Sequence, residues 1–156
     1  MGVATIHIAE TPEDIASAKV IFQEYMVFIE DFLGESLCFQ GTEAEFSNFP
    51  DAYDFLLLAK VDGAPVAACG VKPLKDRICE LKRLYCRPSG RGHNLGERLT
   101  ITSLNEARRR GYTEMFLDTD LGLAHACRIY EKLGFTDIER YYENPMGCSR
   151  YMALAL

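Results

Sequence analysis

The spacing of apolar residues changes repeatedly along this chain of 156 residues, and that change restricts the chain to a fold of mixed helices and strands. Between Thr11 and Gly34, apolar residues recur every three or four positions, which is typical of one face of a long helix. From Asp54 to Arg87 they alternate or run together as in strands, and beyond Gly90 the helical period returns. We therefore predict an α/β fold with the order β-α-α-β-β-β-α-β-α-β-β.

Local signals place the ends of these elements. Thr11 followed by Pro12 is typical of a helix start, and Gly34 is typical of a helix end. Asp62 and Gly63 between two apolar runs predict a hairpin. The predicted helices cover residues 12–33, 43–49, 94–110 and 123–133. The predicted strands cover residues 5–9, 54–61, 65–71, 77–87, 113–119, 135–142 and 148–154.

Composition limits the class of protein. Hydrophobic residues make up 48% and charged residues 26%, which fits one globular domain over residues 1–156. A net charge of −6 disfavours a nucleic-acid binder, and the helix dipole explains Arg108–Arg110 at a predicted helix end. No apolar run approaches the roughly 18 to 20 residues of a membrane span, and the start of the chain has no charged and apolar leader pattern. We expect a cytoplasmic protein.

The cysteines are scattered singly, without a CxxC pair. They are Cys38, Cys69, Cys79, Cys86, Cys127 and Cys148. Zinc sites require clustered ligands, and none of the three histidines has a companion cysteine at metal spacing. We therefore predict free structural thiols and no metal site.

A strand, a glycine-rich loop and a helix follow one another from Leu84 to Leu99. A helix start leaves backbone N–H groups unpaired where the helix dipole is positive, and such a corner suits a phosphate. Arg91 adds a forked positive charge beside it. The same glycines also suit a loop that only turns the chain, so both interpretations stay open on this pattern alone.

Two common phosphate motifs do not fit this loop. A P-loop has Lys and then Ser or Thr after its last glycine, whereas Glu97 and Arg98 follow Gly96. The dinucleotide fingerprint is GxGxxG, whereas Gly90, Gly92 and Gly96 give GxGxxxG. A phosphate bound here therefore belongs to another class of ligand.

Residues 91–96, Arg-Gly-His-Asn-Leu-Gly, resemble the acyl-CoA-binding motif of the GNAT superfamily, the GCN5-related N-acetyltransferases. The motif's middle glycine is Asn94 here, and asparagine is the least costly substitute where the backbone is left-handed. Residues 126–135 resemble the family's A-x-x-L-Y-x-K-x-G-F segment, and residues 80–85 resemble its central strand. Leu123 stands where many members have asparagine.

The resemblance implies an acetyl-CoA-dependent N-acetyltransferase that needs no metal. It implies a mixed, mostly antiparallel central sheet with a splayed parallel pair, flanked by helices. The coenzyme diphosphate would lie on the loop and helix start, and its pantetheine arm would pair with the strand before them. The implied cofactor-binding residues are Leu84, Tyr85, Cys86, Arg91, Gly92, His93, Asn94, Leu95, Gly96 and Glu97. Members often form homodimers, and the oligomeric state of this chain stays open.

Two residues are candidates for catalysis. Tyr130, by its place in the second motif, resembles the acid that protonates the CoA thiolate; otherwise it is a core aromatic residue. Glu80 is the candidate base, because strict alternation would place it on one face with Lys82, Leu84 and Cys86. Alternatively, Glu80 is a surface carboxylate paired with Lys82 or Arg83.

The acceptor is expected to be a primary amine of a small molecule, an amino acid or a peptide, attacked directly in a ternary complex. Asp118 and Thr119 at a strand end are weaker candidates for orienting it. Residues 141–145, Tyr-Tyr-Glu-Asn-Pro, resemble a tail of some small bacterial members and are candidates for lining the acceptor pocket. The alternative function is a non-catalytic acyl-CoA-binding regulatory module.

Overall fold

The computed structural model describes residues 2–34, 42–144 and 147–156. Its strands are Ala4–Ile8 (β1), Phe55–Val61 (β2), Ala64–Lys75 (β3), Ile78–Cys86 (β4), Glu114–Asp120 (β5), Thr136–Asp137 (β6) and Ser149–Ala155 (β7). Its helices are Pro12–Leu33 (α1), Thr42–Ser47 (α2), Leu95–Arg109 (α3) and Ala124–Leu133 (α4). The predicted order of helices and strands is confirmed.

The strands form one sheet in the order β1-β2-β3-β4-β5-β7-β6, in which β4 and β5 are parallel and the other neighbours are antiparallel. The last pair between β4 and β5 joins Glu80 and Phe116. Beyond it, β4 runs on to Cys86 and β5 to Asp120 without pairing with each other. The predicted splayed parallel pair is confirmed, and it leaves a wedge-shaped gap in the sheet.

Helices cover both faces of the sheet. Along β2, Leu57 and Ala59 belong to the core shared with α3 and α4, whereas Leu56 and Leu58 belong to the core shared with α1. This alternation follows from the period of two residues in a strand. Both faces of the central strands are therefore buried, as their nearly continuous apolar sequence predicts.

The alternation fails in β4 because the strand contains a bulge. Arg83 has a left-handed backbone with φ of 61°, and the pairing with β3 gains an extra residue there. Leu81 and Leu84 consequently pack on the same core although three positions separate them. The predicted common face of Glu80 with Leu84 and Cys86 is therefore wrong: Leu84 and Cys86 face α3, and Glu80 faces the opposite side.

The C-terminal strands also differ from prediction. The predicted strand 135–142 pairs only at Thr136 and Asp137, because the following chain turns over the sheet and is held there through the hydroxyls of Tyr141 and Tyr142. In contrast, β3 is longer than predicted and ends at Lys75, next to a tight turn at Asp76 with φ of 50°.

Two further expectations concern thiols and membranes. Cys69, Cys79, Cys86, Cys127 and Cys148 are free thiols, and Cys38 lies outside the described residues. None of the helices in the described ranges is long and apolar enough to cross a membrane.

The packing of α1 on the sheet predicts a sensitive glycine. A Cβ atom on Gly70 would lie 2.5 Å from two ring carbons of Tyr53 and 3.2 Å from the Cζ of Phe22. We expect Gly70→Ala to lower the free energy of unfolding by about 1 to 3 kcal/mol, because overpacked cores strain their neighbours. Urea unfolding measures this change. Gly147→Ala is the control, since no atom of the described residues is found within 4 Å of its added carbon. Equal unfolding midpoints for the two variants would contradict the prediction.

Candidate active site

A cleft of about 1220 Å³ occupies the gap between the splayed ends of β4 and β5. Its walls come from the second half of α1, the outer part of β4, the loop before α3, the end of β5 and the face of α4. Because parallel strands direct their carboxyl ends to the same edge, this is the edge at which open α/β sheets bind ligands.

One end of the cleft, which we call the anion end, is formed by the loop and helix start from Arg91 to Glu97. Gly92 and Asn94 have φ of 91° and 54°, so the position of Asn94 is left-handed, as its choice in place of glycine predicts. No backbone N–H from Gly92 to Glu97 donates to an acceptor among the described residues. These N–H groups are therefore available to an anionic ligand at the start of α3.

The charges around the anion end favour a negatively charged ligand. Arg91 is exposed and forms no ion pair or side-chain hydrogen bond with another described residue. The carboxylate of Glu97 is bound by the Lys132 ammonium on α4 at 2.7 Å. Since this ion pair offsets the negative charge in the first turn of α3, it reduces repulsion of a phosphate.

The middle of the cleft is bordered by the free edge of β4. Leu84, Tyr85 and Cys86 line the cleft there, where β5 no longer pairs with the strand. An unpaired strand edge presents backbone N–H and C=O groups to any extended ligand. Gly92, Asn94, Leu95, Gly96 and Glu97 line the same cleft, whereas His93 does not, and its carbonyl accepts from Arg98.

Tyr130 lines the cleft from α4. Its side chain packs edge-on against Phe135, and only 6% of the residue is exposed. The Tyr130 hydroxyl has no hydrogen-bond partner among the described residues. Every fully buried side-chain N or O atom of these residues does have a partner, so the hydroxyl oxygen is not fully buried. The hydroxyl therefore opens into the cleft. Burial, with smaller contributions from neighbours such as Tyr25, raises the pKa of Tyr130, so it is protonated at neutral pH.

Glu80 is brought to a different place from the one predicted. It is 4% exposed, it accepts a hydrogen bond of 2.5 Å from the Tyr141 hydroxyl, and it does not line the cleft. It is therefore not a surface carboxylate paired with Lys82 or Arg83, and that alternative is wrong. Its catalytic role stays a prediction.

A buried network that the sequence did not indicate fixes the bulge of β4. The Arg83 guanidinium contacts both carboxylate oxygens of Glu45 on α2, at 2.8 and 3.3 Å. The Tyr53 hydroxyl donates to the same carboxylate at 2.5 Å. Burial alone would raise the pKa of Glu45, but Arg83 outweighs it and holds that pKa below 4.5. No short sequence motif indicates the ion pair between Arg83 and Glu45, because 38 residues separate them.

The other end of the cleft, which we call the acceptor end, combines aromatic rings with carboxylates. Tyr25 and Phe28 of α1 lie beside Tyr85 of β4, and Asp118 and Asp120 of β5 line the same space. Periodicity marked Tyr25 only as part of the apolar face of a helix.

The tail after β6 completes this end of the cleft. The Tyr142 hydroxyl donates to Asp118 at 2.8 Å. Of the predicted tail residues, Asn144 lines the cleft, whereas Tyr141, Tyr142 and Glu143 do not. Pro145, which belongs to the same tail, lies outside the described residues. Thr119 also lines the cleft. Leu123 packs with Met26 and Ile29, so it is a core residue linking α1 to the start of α4.

The described residues contain no group of three or more His, Cys, Asp or Glu side chains placed to hold a metal ion.

The cleft offers a flexible ligand an anion-binding corner, a strand edge and a buried proton donor. It offers a second ligand an aromatic pocket with negative charge.

Comparison with known proteins gives one consistent match. The family model described as the acetyltransferase (GNAT) family matches residues 21–135. A relative from Schizosaccharomyces pombe, named an uncharacterised N-acetyltransferase, is 33% identical over 97% of this chain and 94% of its own. An acetyltransferase structure from Streptococcus agalactiae has a TM-score of 0.77 at 19% identity over 98% of both chains. The PaiA N-acetyltransferase of Thermoplasma acidophilum, solved with coenzyme A, has a TM-score of 0.73 at 16% identity over 99% of both.

The buried pair beside the bulge predicts a loss of stability when it is broken. Glu45→Gln removes the carboxylate bound to the buried Arg83 guanidinium, so we expect the free energy of unfolding at pH 7 to fall by about 1 to 3 kcal/mol in urea titrations. Because the folded-state pKa of Glu45 lies below 4.5, its contribution is present above that pH and is lost as the pH falls through the folded value. Acidification should therefore destabilise the unaltered protein more steeply than the variant.

Glu43→Gln is the matched control for that experiment, because Glu43 is exposed on the same short helix. A loss of stability as large in this control as in Glu45→Gln would show that the buried pair does not stabilise the bulge.

Proposed function

Because the chain belongs to the GNAT acetyltransferase family, it is an acyltransferase, and we propose that it transfers the acetyl group of acetyl-CoA to a primary amine in a ternary complex. One observation carries this proposal: Gly92 and residues 94–97 with their unpaired N–H groups, the free edge of β4 and Tyr130 with its hydroxyl all line one cleft. A ligand much smaller than the coenzyme would not contact all three of these features.

Each part of the cleft fits one part of the coenzyme. The N–H groups from Gly92 to Glu97 would bind the diphosphate at the start of α3, and Arg91 would add a charge-assisted hydrogen bond. The edge of β4 from Leu84 to Cys86 would pair with the pantetheine amides. Acetyl-CoA supplies the acetyl group as a thioester, close to the bulge of β4.

Tyr130 is the proposed general acid. The amine nitrogen forms a bond with the thioester carbonyl carbon, the carbon–sulfur bond breaks, and the sulfur leaves as a thiolate. Tyr130 gives that sulfur its hydroxyl proton and regains one from solvent, to which the proposed base releases the proton lost by the amine. A thiolate is the weaker base, since a free thiol has a pKa of about 8.5 against about 10 for a free phenol, and burial raises the pKa of Tyr130 further. This transfer therefore relies on proximity and on desolvation of the sulfur.

The amine must lose a proton before it attacks. An alkylamine with a pKa of about 10.4 is only about one-thousandth neutral near pH 7.4, which costs roughly 4 kcal/mol. We keep Glu80 as the proposed base. Since its carboxylate does not line the cleft, the proton must reach it through the Tyr141 hydroxyl or a water molecule.

A non-catalytic acyl-CoA-binding module would use the same anion end. It has no need for a buried hydroxyl facing the thioester, and Tyr130 therefore favours the enzyme. Release of free CoA thiol in the presence of amines separates the two functions, because a binding module takes up acetyl-CoA and releases none.

The anion end predicts a specific loss of coenzyme binding. Arg91→Ala removes one charge-assisted hydrogen bond, so we expect acetyl-CoA to bind about 10- to 100-fold more weakly by calorimetric titration, with a smaller difference at high salt. Arg108→Ala is the control, because Arg108 lies at the opposite end of α3 and bonds to Asn105. Equal affinities for the two variants would exclude Arg91 from the site.

The position of Tyr130 predicts a loss of turnover without a loss of binding. We expect Tyr130→Phe to lower kcat in a thiol-release assay by about 100-fold or more and to leave the acetyl-CoA dissociation constant unchanged. Tyr112→Phe is the control, because the Tyr112 hydroxyl bonds to Asp54 away from the cleft. Unchanged turnover in Tyr130→Phe would remove this residue from the mechanism.

A further inference from the structure

We infer that the acceptor is a primary amine carrying a flat apolar group, which the acceptor end holds against the rings of Tyr25, Phe28 and Tyr85 while Asp118 and Asp120 attract its ammonium. The inference rests on the proposed function, because it concerns the second substrate of the same cleft.

The aromatic wall is continuous and partly open to solvent. The Tyr85 ring lies 5.7 Å from the ring of Tyr25 and 5.6 Å from that of Phe28. Phe28 is 42% exposed and stacks on Phe32 at 6.2 Å, and Phe32 is 47% exposed. Exposed neighbouring aromatic rings beside a cleft mark a binding surface, and aromatic pairs at these distances favour a flat partner.

The opposite side of the acceptor end carries unneutralised negative charge. Neither Asp118 nor Asp120 forms an ion pair with a described residue. Asp118 accepts from the Tyr142 hydroxyl, and Asp120, which is 8% exposed, accepts from the N–H of Gly122 at 2.8 Å. Each carboxylate keeps a second oxygen for a ligand, because an ionised carboxylate accepts through two oxygens.

Two cations that line the cleft have contacts of their own. The Arg83 guanidinium is bound to Glu45, and the Lys82 ammonium lies over the Tyr142 ring, 5.9 Å from its centre. An ammonium group that reaches Asp118 and Asp120 would therefore meet two carboxylates without an ion-pair partner among the described residues, and these would repel a carboxylate of the ligand.

The two sides line the same cleft as the proposed acid Tyr130. Burial raises the pKa of Tyr25 to about 12, and the charges of Asp118 and Asp120 contribute to that rise. Asp118 also contributes to the raised pKa of Tyr130. An amine nitrogen in this cleft can therefore meet Asp118 on the way to the thioester.

The acceptor end is closed on one side by α1. A Cβ atom on Gly122 would lie 3.1 Å from the Cζ of Phe32, so the end of α1 contacts the loop after β5 directly. Leu123 packs with Met26 and Ile29 beside this contact. The end of α1 and the loop after β5 therefore form one boundary of the acceptor end.

Three amines test the inference in a thiol-release assay with saturating acetyl-CoA. We expect kcat/KM for 2-phenylethylamine to exceed that for n-butylamine by at least about 10-fold, because only the first fills the aromatic wall. We expect phenylalanine, which adds a carboxylate beside the amine, to fall at least about 10-fold below 2-phenylethylamine. Equal values for 2-phenylethylamine and n-butylamine would overturn the inference.

Two variants test the aromatic contact and the charge contact of the acceptor separately. Phe28→Ala should lower the ratio between 2-phenylethylamine and n-butylamine by about 10-fold, whereas Val27→Ala, at a neighbouring position with 66% exposure, should leave the ratio unchanged. Asp120→Asn keeps an oxygen for the Gly122 N–H and removes the charge, so it should raise KM for 2-phenylethylamine about 10-fold. An unchanged KM would contradict the role of this charge.

The outcome also distinguishes the two proposals. Calorimetric binding of acetyl-CoA together with thiol release from all amines at similar rates would reject the aromatic acceptor and leave the acetyltransferase. Absence of acetyl-CoA binding would reject the proposed function itself. Both measurements use the unaltered chain, so they hold even where a variant fails to fold.

Discussion

The separation of β4 from β5 after residue 80 is the constraint on which the rest of this structure depends. Parallel strands twist, and these two stop pairing at Glu80 and Phe116 while both continue outward. The outer half of β4 therefore keeps a row of backbone groups that no described strand satisfies. In a folded protein such an edge is typically covered, protected or used by a ligand, and here it forms a wall of the candidate active-site cleft.

Two packing features hold that gap open. The bulge at Arg83 turns the outer part of β4 while Leu84 and Cys86 stay on the α3 core, and the buried ion pair with Glu45 holds its left-handed backbone in place. On the far side, Met26 and Ile29 of α1 pack against Leu123. Helix α1 thus spans the gap instead of letting the two sheet halves close on each other.

The sequence predicts the features that depend on nearby residues. The order of elements, the helix start after the glycine-rich loop and the left-handed position of Asn94 are confirmed, because caps, glycines and periodicity act within a few residues. Features that depend on distant residues were not predictable in the same way. The bulge at Arg83 invalidated the alternation argument for Glu80, and Tyr141, 61 residues away, covers that carboxylate.

The binding sites proposed for the two substrates differ in the same way: one is built from nearby residues of the chain and the other from distant ones. The proposed coenzyme-binding residues lie in one contiguous stretch, residues 84–97, so their pattern can be read from this sequence alone. The acceptor end draws Tyr25 from α1, Tyr85 from β4, Asp118 from β5 and Asn144 from the C-terminal tail. A change in any one of these elements alters the shape or charge of the pocket without touching the loop at Arg91. Within such a fold, the second substrate can therefore change while coenzyme binding is preserved.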